Sequence, residues 1–249
     1  MSKKLKILVV DDNEEFCQNV RDIVELRSYE VSIAYDGYQA LEMVENNGFD
    51  VALMDVRMPV MDGVTTFRKI KQIAPQIPVV MVTAYAMEQL VGEVLREGAF
   101  GFLKKPLDFE RLFGIFENAV YKGTLVLVVD GERELCNSLE QALGCRGHKV
   151  VAASDEYEAI DSVWESAFDV VLVDTESTDI NRLDACQTIQ DIRPEIVIII
   201  LNESGNDLNR PVKNMIEGRK FTCLEKPIDM EALVVLVEKI TEKKAGEIV

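Results

Sequence analysis

Short apolar runs alternate with helical patterns along the first half of the chain. The apolar runs have the length of buried strands, and the stretches between them repeat apolar residues at a spacing of three or four. The predicted strands are 5–10, 31–34, 50–54, 78–82 and 100–103, and the predicted helices are 13–27, 37–46, 64–73, 87–97 and 108–121. Such strand–helix units predict a doubly wound α/β domain, with one parallel sheet covered by helices on both faces.

The same pattern begins again near residue 124. Asp11, Cys17 and Asp55 recur 119 residues later as Asp130, Cys136 and Asp174. A constant offset of this kind indicates a duplicated unit. The sequence therefore predicts two domains of the same α/β fold, residues 1–122 and 123–249.

Composition and charge exclude several classes of function. The formal net charge is −17, of which −12 lies in residues 123–249, and this excess argues against binding to nucleic acid or to an anionic membrane surface. No apolar run has the length of a membrane span, and the start of the chain does not resemble a signal peptide. One histidine and five cysteines without a Cys-x-x-Cys pair offer little for zinc sites or for Ser-His or Cys-His catalysis. We expect a reduced, cytoplasmic protein with protein partners.

Polar side chains stand at the ends of four predicted strands in the first domain. They are Asp11 and Asp12 after the first strand, Asp55 after the third, Thr83 after the fourth and Lys105 after the fifth. The carboxyl ends of parallel strands share one edge, so we expect one pocket. Carboxylates gathered in this way repel one another unless a cation is present, and Mg²⁺ suits such a site. A carboxylate beside Mg²⁺ can attack phosphorus and form an aspartyl phosphate.

These residues and their flanking loops resemble the receiver domains of bacterial two-component response regulators. The resemblance spans residues 1–122 and rests on Asp11-Asp12, Asp55-x-x-Met58-Pro59-x-Met61-Asp62-Gly63, Thr83-Ala84 and Phe102-x-x-Lys105-Pro106. It implies a flavodoxin-like fold with sheet order 2-1-3-4-5 in each domain. It also implies that Asp55 is the phosphoacceptor.

The resemblance further implies the ligands of the metal. Asp12 and Asp55 would bind Mg²⁺ directly, Asp11 would assist through water, and the backbone carbonyl of Arg57 would complete the protein ligands. Bulky side chains at Arg57 and Tyr85 predict slow attack by water and a long-lived phosphoryl group.

The resemblance also implies a switch. Thr83 and Lys105 would bind the phosphoryl group, and Phe102 would move inward together with Thr83. The Lys105–Pro106 peptide bond is expected to be cis.

The second domain keeps the pattern of the fold and loses part of the chemistry. Gly131 stands at the position of the metal ligand Asp12, Asn202 at that of Thr83, and Cys223 at that of Phe102. The degenerate site consists of Asp130, Asp174, Asn202 and Lys226. Losing a carboxylate ligand weakens a Mg²⁺ site, so we predict a pseudo-receiver that serves as an interaction module. The alternatives are a second working receiver with a tolerant site, or a structural ion pair between Asp174 and Lys226.

The leading functional hypothesis is a phosphorylation-controlled interaction module rather than an enzyme. A histidine kinase or phosphotransfer protein would supply the phosphoryl group, and the response would be a new domain arrangement, a homodimer or contact with a downstream protein partner. The alternatives are a phosphorylation-independent scaffold and the receiver portion of a longer regulator or hybrid kinase. An aspartyl-phosphate phosphatase is disfavoured, because Asp11-Asp12-Asn13 does not supply the Asp-x-Asp arrangement of haloacid-dehalogenase-like enzymes.

Overall fold

The computed structural model describes residues 4–84, 88–130, 133–175, 180–203 and 221–246. Within these ranges the chain forms two parallel five-stranded sheets and two compact units, whose main break falls between Val120 and Tyr121. Both sheets have the predicted order, 2-1-3-4-5 and 7-6-8-9-10, which confirms the predicted fold class. In the part of the chain that is described, no helix is both long and apolar enough to cross a membrane.

The first unit alternates strands and helices as the sequence pattern predicts. Its strands are β1 Lys6–Val10, β2 Glu30–Ala34, β3 Val51–Asp55, β4 Val79–Thr83 and β5 Gly101–Lys104. Its helices are α1 Glu14–Leu26, α2 Gly37–Asn46, α3 Gly63–Ile73, α4 Glu88–Arg96 and α5 Phe109–Ala119. The predicted bounds differ from these by at most two residues, and Met87, the predicted start of α4, lies outside the described residues.

The register of the first sheet brings its strand ends together. Every residue of β3 and β4 is buried, as expected for central parallel strands with helices on both faces. Asp55 pairs with Val82 of β4, and Thr83 pairs with Lys104 of β5. The last residues of β3, β4 and β5 therefore lie side by side at one edge of the sheet.

Asn and Asp side chains fix the starts of the helices. Asn13, Asp36, Asp62 and Asp108 stand just before α1, α2, α3 and α5, and each accepts a hydrogen bond from a backbone N–H in the first turn. Such caps satisfy N–H groups that have no partner within the helix. Asp108, the first residue of the predicted helix 108–121, accepts from the N–H groups of Glu110 and Arg111 and is the N-cap of α5.

The second unit repeats this order. Its strands are β6 Leu125–Val129, β7 Lys149–Ala153, β8 Val170–Thr175, β9 Val197–Glu203 and β10 Phe221–Lys226. Its described helices are α6 Arg133–Gly144, α7 Glu156–Glu165, α8 Ile180–Ile192 and α9 Met230–Gly246. The apolar pattern predicts the last helix over 228–241, and the structure begins this helix two residues later and ends it five residues later. Its final turns are formed by residues with good helix propensity that follow the apolar stripe.

The 119-residue offset is preserved in β6, β7 and α7, but not at the start of α8. Helix α3 begins at Gly63 and ends at Ile73, whereas α8 begins at Ile180 and ends at Ile192. The two helices thus end at equivalent positions, and α8 starts two residues earlier. The segment between strand and helix is accordingly shorter in the second unit, residues 176–179 against 56–62.

Candidate functional site

Asp55 is the last residue of β3 and one of the few buried carboxylates of the chain. Its side chain accepts two hydrogen bonds. Oδ2 accepts from the backbone N–H of Arg57 at 2.7 Å, and Oδ1 accepts from Nζ of Lys105 at 2.7 Å. The residue is 6% exposed, so these donors hold a carboxylate that is almost entirely buried.

Lys105 connects Asp55 with Asp11, which follows β1. Nζ of Lys105 donates to Oδ2 of Asp11 at 2.5 Å, and Oδ1 of Asp11 accepts from the backbone N–H of Asn13 at 3.0 Å. The same ammonium lies 4.1 Å from the centroid of the Phe16 ring on α1. The ends of β1, β3 and β5 therefore meet at one pocket, as the sequence predicts. The contact with Phe16 was not predicted, because the spacing of apolar residues along α1 indicates only that this side chain packs in the core.

The charges in this pocket are not balanced by the lysine alone. Burial raises the pKa of Asp11 above its usual value, and the hydrogen bonds from Lys105 and Asn13 offset only part of that effect. Burial alone would lower the pKa of Lys105, but its hydrogen bonds to Asp11 and Asp55 raise the pKa above the ordinary value for lysine. One ammonium thus serves two buried carboxylates, and a further cation would be favoured.

The donor set of this pocket fits Mg²⁺. Among the residues that the structure describes, no three His, Cys, Asp or Glu side chains are close enough together to hold a metal ion by themselves. Mg²⁺ needs only one or two carboxylates, because waters and phosphate oxygens complete its shell. Asp11 and Asp55 supply buried carboxylate oxygens, and Asp12 adds an exposed one. The backbone N–H of Arg57 is held by Asp55, which places the Arg57 peptide unit beside the same pocket.

Thr83 and Phe102 lie between this pocket and α4. Thr83 ends β4 and is 2% exposed, and Phe102 on β5 pairs with Met81 and is half-buried. Both residues line a small cavity under α4. Its other lining residues are Val56, Met81, Leu90, Val91 and Val94. The cavity gives the Phe102 ring apolar neighbours directly beside Thr83. Tyr85, for which the sequence predicts an effect on the phosphoryl lifetime, lies outside the described residues.

Gly63 has a close contact that the sequence analysis did not single out. A Cβ atom at this position would lie 1.8 Å from the carbonyl oxygen of Asp55, so no other residue fits without moving the backbone. The N–H of Gly63 donates to the carbonyl of Val56 at 3.0 Å and closes the loop after β3. The Asp-Gly pair at 62–63 is a turn signal that could have pointed to this constraint.

The second unit also places its predicted site residues at neighbouring strand ends. Asp130 follows β6, Asp174 lies in β8, Asn202 in β9 and Lys226 at the end of β10, and the first three are buried. Nζ of Lys226 donates to Oδ2 of Asp174 at 2.6 Å. Gly131 and Glu132, as well as residues 176–179 between β8 and α8, lie outside the described residues.

Two features distinguish Asp174 from Asp55. Its Oδ1 is buried and has no hydrogen-bond partner among the described residues. Its backbone carbonyl accepts a hydrogen bond from Nη1 of Arg182 on α8. The sequence analysis did not single out Arg182. Its contact with Asp174 depends on the early start of α8, which the strand–helix pattern does not reveal.

Comparisons with known proteins find relatives along the whole chain. The transcriptional regulatory protein ZraR of Salmonella typhimurium (strain LT2) is 41% identical over 117 residues, which are 47% of this chain and 26% of that protein. A response regulator receiver protein of Anaeromyxobacter sp. (strain Fw109-5) is 28% identical over 246 residues, 98% of each chain. The crystal structure of a CheY-like receiver domain protein from Methanospirillum hungatei JF-1 matches with 29% identity and a TM-score of 0.46, over 49% of this chain and 100% of that one.

The relatives differ in length from this chain. It spans about a quarter of the length of ZraR and almost the whole of the Anaeromyxobacter protein. The family model for the response regulator receiver domain matches twice, over residues 7–117 and 126–238, and each match contains one of the two sheets. This chain therefore belongs to the response regulator receiver family and carries two receiver domains in tandem.

Proposed function

We propose that the first domain is a phosphoryl-accepting switch and that Asp55 receives its phosphoryl group from a histidine kinase or phosphotransfer protein. The observation that carries this proposal is the position of Lys105, whose Nζ is hydrogen-bonded to Asp11 at 2.5 Å and to Asp55 at 2.7 Å. This position brings a nucleophilic carboxylate and a fixed cation together at the carboxyl ends of the parallel strands, where ligands of such sheets bind.

The proposed reaction moves one phosphoryl group. A carboxylate oxygen of Asp55 attacks phosphorus, the P–O bond forms as the P–N bond of the donor phosphohistidine breaks, and the released imidazole takes up a proton from solvent. Mg²⁺, when bound by Asp12, Asp55 and the Arg57 carbonyl with Asp11 assisting through water, would offset the negative charge of the phosphoryl oxygens. The Lys105 ammonium then holds one of these oxygens, and the Thr83 hydroxyl donates to another.

The response would run from Thr83 through the cavity under α4. Thr83 moves toward the new phosphoryl oxygens, and Phe102 follows into the space that Thr83 leaves. This movement would change the surface formed by α4, β5 and α5, and with it a contact to a downstream protein, to a second copy of the chain or to the second domain. The second domain would act as a pseudo-receiver and interaction module. The protein would act in the cytoplasm and accept one phosphoryl group, with no multiple-turnover reaction.

Intact mass spectrometry after incubation with Mg²⁺ and acetyl phosphate tests this proposal. Wild type is compared with Asp55→Ala and with Asp174→Ala, which is the matched control in the other domain. We expect one added phosphoryl group in wild type and in Asp174→Ala, and none in Asp55→Ala. Two added groups would overturn the pseudo-receiver assignment. No added group would favour a scaffold that does not depend on phosphorylation.

A further inference from the structure

We propose that in the second domain the guanidinium of Arg182 supplies the positive charge that a divalent cation would supply in the first. The site around Asp174 would then be neutralised by the protein itself and would not bind Mg²⁺. This inference rests on the pseudo-receiver role proposed above and adds Arg182 to the lost carboxylate at position 131 as a cause of it.

The position of Arg182 is the first observation. It lies 119 residues after Gly63, where a Cβ atom would be 1.8 Å from the carbonyl oxygen of Asp55. In the second domain α8 starts at Ile180, so Arg182 is already the third residue of the helix. The backbone there has room for a side chain, and that side chain reaches back to the carbonyl oxygen of Asp174.

The balance of charge is the second observation. In the first domain one cation, Lys105, is paired with two buried carboxylates, Asp11 and Asp55, and the exposed Asp12 follows Asp11 in the chain. Among the described residues of the second site, the carboxylates are Asp130 and Asp174 and the cations are Lys226 and Arg182. The first site has an excess of negative charge that attracts a divalent cation, whereas the described residues of the second site carry no such excess. Two fixed cations beside Asp174 repel such an ion at short range.

The donor atoms are the third observation. The Lys226 ammonium holds Oδ2 of Asp174, and the guanidinium holds its backbone carbonyl. Oδ1 of Asp174 is buried and has no hydrogen-bond partner among the described residues. A carboxylate oxygen suitable for a metal therefore survives in a site from which the cations exclude the metal. Removing the charge of Arg182 should expose this residual affinity.

The consequence concerns regulation. A site neutralised by its own side chains keeps one charge state whether or not Mg²⁺ or a phosphodonor is present. The second domain would then offer partners a constant surface, and only the first domain would respond to the signal.

The test counts Mn²⁺ ions bound to the full-length chain by calorimetry and electron paramagnetic resonance. Mn²⁺ is the probe because it is paramagnetic and takes the same oxygen ligands. We expect one site in wild type, which Asp55→Asn weakens at least tenfold. Arg182→Gln should bind a second Mn²⁺, and Asp174→Asn in the same chain should remove it. Arg182→Lys keeps the positive charge, so this variant should bind a single Mn²⁺ ion, as wild type does.

Arg146→Gln is the matched control. Arg146 is half-exposed in the same domain, and its Nη1 lies 3.1 Å from Oε1 of Glu238. This substitution removes the same charge away from the site and should leave the count at one. A second Mn²⁺ in this variant as well would overturn the proposal, because the effect would then be that of overall charge.

Two further outcomes would overturn the inference. One is a wild-type chain that binds two Mn²⁺ ions, one of them lost in Asp174→Asn. The other is an Arg182→Gln variant that is folded, as judged by circular dichroism, and still binds a single Mn²⁺ ion. If that variant does not fold, the inference is tested on the wild-type chain by nuclear magnetic resonance. Mn²⁺ should broaden the amide signals of residues near Asp55 and leave those near Asp174 unchanged. A chain that binds Mn²⁺ at Asp55 but accepts no phosphoryl group would overturn the proposed function and leave this inference standing.

Discussion

Lys105 shows how one side chain can hold together a site drawn from distant parts of the chain. Its ammonium joins Asp11 and Asp55, which belong to separate strands, and packs on the ring of Phe16. The three groups are fixed before any ligand arrives, so little side-chain ordering is required when a phosphoryl group binds. The raised pKa of Lys105 keeps it protonated at every physiological pH. The positive charge in the pocket is therefore constant.

His148 is the residue with the clearest pH effect on stability. It is 9% exposed, and neither ring nitrogen has a hydrogen-bond partner among the described residues. Burial and the charge of Arg146 lower the pKa of His148, although Glu238 and Asp169 act in the opposite direction. Below about pH 6.5 the unfolded chain therefore takes up a proton before the folded protein does. Stability is lost as the pH falls from that value toward the lowered pKa.

His148→Leu should remove this pH dependence. We expect the variant to be more stable than wild type at pH 5, with a difference that grows by at most about 1.4 kcal/mol per pH unit as the pH falls below 6.5. Urea unfolding of both proteins at several pH values measures the difference, and a measurement at pH 8, where the histidine is neutral in both states, is the control. A difference that is the same at pH 5 and pH 8 would contradict the prediction.

At the scale of the element, α4 is held between the switch residues and α3. Leu90, Val91 and Val94 line the cavity next to Thr83 and Phe102. On the other side the guanidinium of Arg68 on α3 binds the carboxylate of Glu97 with two hydrogen bonds, of 2.6 and 2.7 Å. Both side chains are partly exposed, so this ion pair adds little to stability. Packing against the cavity is thus the main link between α4 and the site.

Phe102→Ala should separate phosphorylation from the response of α4. The ring lines the cavity under α4 and takes no part in the hydrogen bond between Lys105 and Asp55, so we expect the same phosphoryl stoichiometry as in wild type. Without the ring, movement of Thr83 would no longer be passed to α4. Hydrogen exchange of α4 with and without acetyl phosphate measures this response, and Phe102→Tyr, which keeps the ring, is the control. An unchanged exchange difference in Phe102→Ala would count against this route.

The strand pattern predicts which side chains meet at the edge of the sheet. Their individual contacts depend on the lengths of the loops and on where the helices start. Asp11, Asp55 and Lys105 could be brought together from the sequence because the ends of parallel strands share one edge. The stripe on α1 was also predicted, and Val20 and Val24 are buried while Phe16 packs partly against the same core. The Arg182 contact could not be predicted. It follows from the shorter segment before α8, and a hydrophobic pattern does not specify where a helix starts to within two residues.

At the scale of the whole molecule, one sequence pattern builds the same sheet twice with different chemistry at its edge. Each sheet has its own core, in which helices α1 and α5, or α6 and α9, cover the same face. The substitutions that alter the second site leave this core intact. Cys223, at the position of Phe102, is half-buried and still lies in the strand that carries Lys226. Packing thus preserves the fold while the residues at the strand ends differ between the two units.

Mg²⁺ should therefore stabilise the two halves of the chain unequally. An ion at about 100 times its dissociation constant adds about 2.7 kcal/mol to the unit that binds it. We expect slow-exchanging amides of β1, β3 and β4 to gain protection when Mg²⁺ is added, and those of β6, β8 and β9 to remain unchanged. Removing the ion with a chelator should reverse the gain, and Asp55→Asn should reduce it. Native-state hydrogen exchange measures both sheets in one sample. Equal gains in the two sheets would contradict the prediction, because the second site would then share the metal chemistry of the first.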